Sequence, residues 1–122
     1  MIVKASDVYD YIDINKSELP ERFEIDLANE TFVMQFNYNE TGDFFTVDLY
    51  GIGDEPEPFP IAYGEKLVLG RPLWETSTTD NIPAPTLIPL DIGMEAKRVT
   101  FENLGVSVFL YIVDGDGEET VE

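Results

Sequence analysis

Carboxylates are the titratable groups this chain holds in quantity: 25 Asp and Glu stand against seven Lys and Arg, with no His and no Cys. Without imidazole or thiolate there is no Ser-His-Asp or Cys-His nucleophile and no ordinary zinc site. A carboxylate acid–base pair of the kind used in glycoside hydrolysis is one chemistry left open. Asp48, flanked by alternating apolar residues, could supply one member, yet no spacing selects a second. Tyr, Lys and Ser stay formally available. Two acidic stretches invite a calcium reading, Asp54-Glu55-Pro56-Glu57 and the D-G-D-G at 114–117. The first lacks acids at alternate positions followed by Gly, and too few ligands follow the second at the required spacing. The expectation is therefore no catalytic residue, no metal site and no cofactor, and hence no enzyme.

The formal charge of −18 repels phosphate, so specific nucleic-acid binding and anionic membranes are disfavoured as partners. Solubility, a basic partner or a cation could each account for the charge. The N-terminal apolar run is too short for a signal peptide and is followed at once by acids. No segment approaches the length of a membrane helix. Both points lead to the expectation of a protein made in a cytoplasm.

Residues 23–50 are the stretch that must position anything else. They read FEIDL-ANE-TFVMQFNY-NETG-DFFTVDLY, three runs alternating with period two and separated by polar breaks, which predicts a three-stranded meander. Phe23, Ile25 and Leu27 share one face, as do Phe32, Met34, Phe36 and Tyr38, and then Phe45, Val47 and Leu49. Val33 is the exception on the opposite face of the second run. A final hairpin is expected from 99–101 and 106–113 around Glu102-Asn103-Leu104-Gly105. Phe32, Met34, Phe36, Phe45, Val47, Leu49, Val108 and Leu110 are the expected core. Prolines at 56, 58 and 60 predict an extended segment outside the ladder. Gly64 and Gly70 mark bulges or bends, Pro89 makes its run an edge strand, and residues 93–97 could form one helical turn. The whole predicts an all-β fold, a single antiparallel β-sandwich or partly open barrel of about seven to eight strands with minimal helix. The chain divides into an N-terminal arm or edge strand at 1–22, a β domain at 23–113 and an acidic, flexible tail at 114–122.

Some side chains look placed for a partner. Phe44 and Tyr50 put aromatic groups on the outward face of the third run, so that face needs cover from this chain or another. Trp74 could be core or an interface anchor. The polar loop at 75–86, which includes Asp80 and Ile82, is longer than compact domains usually carry. Phe44, Tyr50, Trp74, Asp80 and Ile82 are the candidate partner interface. The N-terminal residues could lie on the domain or reach a neighbour.

The meander ending in D-F-F-T-V-D-L-Y, the segment Gly70-Arg71-Pro72-Leu73 and the closing strand V-S-V-F-L-Y-I-V-D together resemble the small baseplate plug proteins of tailed phages and phage-tail-like bacteriocins, over roughly residues 22–114. The resemblance implies a structural, non-enzymatic plug or adaptor linking tail tube and hub. It implies other baseplate, hub and tail-tube proteins as partners, and a symmetric homo-oligomer, a trimer or ring. Its place would be the virion tail, assembled in the host cytoplasm. An acidic lumen would let DNA pass without sticking. The residues alone also allow a sugar- or peptide-binding β-module with Trp74, Tyr50 or Tyr63 as its platform.

Overall fold

In the computed structural model, which describes residues 3–4, 9–76 and 81–113, the 23–50 stretch is the meander its alternation predicts. Strands β3 (Glu21–Leu27), β4 (Glu30–Asn39) and β5 (Phe44–Gly51) pair antiparallel in unbroken register, and β6 (Phe59–Lys66) adds to β5. The β3–β4 turn has two residues, Ala28 and Asn29, both at positive φ (53° and 70°). That is the geometry whose twist matches the flanking strands. The next turn is closed by Asn39, whose Oδ1 accepts from the Gly42 amide at 2.9 Å.

A second sheet runs β1 (Val3–Lys4), β2 (Asp10–Ile12), β8 (Phe109–Val113), β7 (Thr86–Leu90), all antiparallel. β2 lies between β1 and β8 and buries Ile12 to 2% exposure. Pro89 sits on β7, the sheet's edge, where a missing N–H costs least. Helix among the described residues is one 3-10 turn, Lys16–Glu18, capped by Asn15 Oδ1.

The two sheets share one apolar cluster and do not close into a barrel. Every one of the eight expected core residues is at most 4% exposed. β5 shows the cause most plainly, alternating buried and half-buried through all eight residues. Burying these side chains is the main stabilising term of the fold. Val33 is also buried, on the other face, where the register sets it between Glu24 and Tyr50.

Local expectations fail where side chains supply turns. Residues 99–101 form no strand, and β8 begins only at Phe109. The Asn103 carbonyl accepts from the amides of Val106, Ser107 and Val108, and its Oδ1 accepts from the Thr100 amide at 2.8 Å. That local bonding outcompetes a hairpin and leaves Val106 71% exposed. Residues 93–97 form no helical turn either. Asp91 takes the amides of Gly93, Glu95 and Ala96 onto its carboxylate instead. The proline segment is less detached than expected, because Phe59 and Pro60 pair with Gly51 and Tyr50. Gly51 is required there: a Cβ would lie 2.4 Å from the Phe59 ring.

Candidate partner interface

β6 carries the irregularity that builds the outward face of this sheet. Val47 pairs with Glu65 and Leu49 with Ala62, so Tyr63 and Gly64 together oppose Asp48. The bulge is held by the Gly64 amide donating to Asp48 Oδ1 at 2.7 Å, with Gly64 at φ +70°. Such a bulge re-aims its side chain, and Tyr63 stands 66% exposed. Its ring meets Tyr50 edge-on at 5.8 Å between centroids.

Arg22, from β3, covers the other side of Tyr50. Its guanidinium lies 4.5 Å from the ring centroid, Nη2 donates to the Tyr50 hydroxyl at 3.0 Å, and Nε donates to Gln35 Oε1 at 3.1 Å. Gln35 Nε2 donates to Asn37 Oδ1, and Asn37 Nδ2 to Asp48 Oδ2. Both Asp48 oxygens thus accept from this chain. Four strands contribute to one hydrogen-bonded face with aromatic rings at its margin.

Phe44 stands at the far end of β5, half-buried, with Lys66 Nζ 4.5 Å above its ring. It lines a shallow groove of about 130 Å³ with Lys66, Leu69, Lys97 and Arg98. Asp43 anchors that corner. It accepts from Tyr38 Oη at 2.8 Å and the Phe101 amide at 2.9 Å, and pairs with Arg98 Nη2 at 3.1 Å. The Phe101 amide, then the Tyr38 hydroxyl, hold the Asp43 carboxyl below the usual Asp range, and the same bond raises the Tyr38 phenol. Asp91 is held low chiefly by the Ala96 amide. A wider opening of about 560 Å³ lies nearby between Lys16, Leu19, Tyr38, Glu40 and Phe101.

The residues expected to meet a partner are therefore scattered. Tyr50 belongs to the outward face and Phe44 to the groove. Ile82 is half-buried against the core, and Asp80 lies outside the described residues. Trp74 is a correction: at 5% exposure it belongs to the core cluster and offers no surface for an interface. The cause is local. Gly70 and Leu73 donate backbone bonds to Pro89 and Leu87, which lay the segment on β7. The Trp74 amide is then held at φ +58° by Glu65 Oε2 at 2.8 Å. Arg22 and the three groove cations were missed by pattern reading. Their signal was scarcity, since with seven cations in the chain the position of each one matters. Tyr63 was visible only as one of several aromatics. The D-G-D-G stretch lies outside the described residues, as does the tail.

A family model described as the cyanophage baseplate Pam3 plug gp18 matches residues 9–116. No curated protein matches the chain. The match spans most of the sequence, and the chain belongs to this family of baseplate plugs, structural components of the phage tail.

Proposed function

We propose that this baseplate plug is a non-enzymatic adaptor at the centre of the baseplate, linking tail tube and hub, and that it docks through the outward face of β3–β6. In the baseplate it forms a symmetric homo-oligomer, a trimer or ring, assembled in the host cytoplasm. The observation that supports the docking face is Tyr63, projected by a bulge beside Tyr50 and Arg22. Interface hot spots favour Tyr and Arg, and a side chain fixed before docking loses less entropy on binding. The same face argues against a sugar platform. A sugar is read by polar groups free to turn toward it, whereas Arg22, Gln35, Asn37 and Asp48 are tied into a chain of bonds to one another that uses part of their capacity. A flat protein surface needs only the rings and the rim.

The test is incorporation. Tyr63→Ala and Arg22→Ala proteins are supplied to tails lacking the wild-type chain, and purified tails are probed for the plug. Both positions are exposed, so isolated Tyr63→Ala should melt with the wild type and Arg22→Ala, which loses its bonds to Gln35 and Tyr50, should stay folded with a loss of about 1 kcal/mol. The expected result is reduced incorporation for both. Wild-type incorporation of both variants would overturn the docking face.

A further inference from the structure

The chain is electrically polar along one hairpin. Three of its seven cations, Lys66, Lys97 and Arg98, line the shallow groove with Phe44 and Leu69. That groove lies where β5 begins and β6 ends, since Thr46 pairs with Lys66 and Arg98 bonds to Asp43. At the opposite end Gly51 pairs with Phe59, and the connection between them carries Asp54, Glu55 and Glu57, all exposed. Its apolar residues are uncovered as well, Ile52 at 44% and Phe59 at 42%. The seven intervals of β5 (Phe44–Gly51) separate the two ends by roughly 24 Å at the antiparallel rise, so one molecule cannot bring them together.

We propose that the groove of one copy receives the 52–58 loop of a second copy, a head-to-tail contact that repeats around the baseplate oligomer. Lys66 and Lys97 supply the complementary charge, with Arg98 already paired to Asp43, and each side brings apolar surface: Phe44 and Leu69 on the groove, Ile52 on the loop and Phe59 where the loop enters β6. The prolines at 56 and 58 stiffen the loop, which limits the entropy lost on docking. Two different patches make the contact heterologous, and such contacts close into rings when the rotation allows. The net charge opposes approach, but screening over about 8 Å at physiological salt removes most of that field while sparing pairs at contact. This inference rests on the oligomeric reading above and names its interface.

The chain has no cysteine, which makes cross-linking clean. Glu55→Cys and Lys97→Cys proteins are mixed at physiological salt and oxidised gently. Circular dichroism and melting first check that both exposed substitutions leave the fold intact. The expected product is the mixed disulfide dimer, well above either homodimer, and the double variant should give a ladder or a closed ring. Adding Lys66→Gln to the Lys97→Cys partner should cut the mixed dimer several-fold. A mixed-dimer yield no higher than random pairing would overturn the contact, as would indifference to Lys66→Gln. Neither result bears on tail incorporation of Tyr63→Ala, so this interface can fail while the docking face stands.

Discussion

Trp74→Ala tests the reassignment of that side chain from surface to core. The indole is 5% exposed within a cluster that includes Leu73, Leu87 and Val108. Truncating a buried Trp or Phe to Ala costs about 3–5 kcal/mol. At about 4 °C per kcal/mol for a domain of this size, that is a fall of roughly 12–20 °C in Tm. Trp74→Phe separates volume from polarity. The indole Nε1 is buried with no hydrogen-bond partner among the described residues, a state that costs about 1–3 kcal/mol. Phe loses some packing, about 1–2 kcal/mol for a small cavity, but removes that orphan donor. The two effects nearly cancel, so Trp74→Phe should fall within about 1 kcal/mol of wild type. Urea melts followed by circular dichroism give both values, with unchanged m confirming that compactness is not the variable. The reasoning is refuted if Trp74→Ala loses less than about 1 kcal/mol, or if Trp74→Phe is as damaging as Ala.

Three further outcomes follow from the same geometry. Phe36→Ala and Leu49→Ala, both at 0% exposure, should each lose about 2–5 kcal/mol in denaturant melts. Ala28→Gly should gain about 0.5–1 kcal/mol by the same assay, because Ala28 sits at φ 53° where glycine is at ease. The depressed Asp43 carboxyl contributes stability above the unfolded Asp pKa of about 3.9, and that contribution is lost as pH falls through the lower folded value. Asp43→Asn should therefore lower stability at neutral pH and give a shallower acid limb, with the two stability curves converging at the acid end.

The meander was legible because one physical signal wrote it. Period-two burial of Phe45, Val47 and Leu49, and of Phe32, Met34 and Phe36, is a property of the chain itself and needs no tertiary knowledge. The β3–β4 turn was legible as a break, though not that Glu30 would already be strand. Two of the failures share a cause. At Asn103 and Asp91, a single polar side chain gathers several backbone amides and overrides what the neighbouring apolar residues suggest. Composition does not reveal which Asn or Asp will do this. Trp74 failed for a different reason: its burial depends on backbone bonds from Gly70 and Leu73 to β7, contacts between segments remote in sequence.

Surface chemistry was legible only where it coincided with strand alternation. Tyr50 and Phe44 were found because they fall on the outward half of the β5 alternation. Tyr63 was named only as a platform for a sugar or peptide and not among the partner-interface residues, because a bulge breaks the alternation that would have placed it beside Tyr50. Charge is the deeper case. A total of −18 describes a far field that repels phosphate and other acidic surfaces alike, and on that basis assembly into a tight complex looks unfavourable. Assembly is decided at contact range, where only local composition matters. There the chain is not uniformly acidic. Arg22 is spent on Tyr50, and Lys66, Lys97 and Arg98 are gathered at one end of the β5–β6 hairpin. The acids at the other end of that hairpin are left exposed. A protein with few cations and most of them in two places has surfaces that differ in kind, which is what an adaptor between unlike neighbours requires.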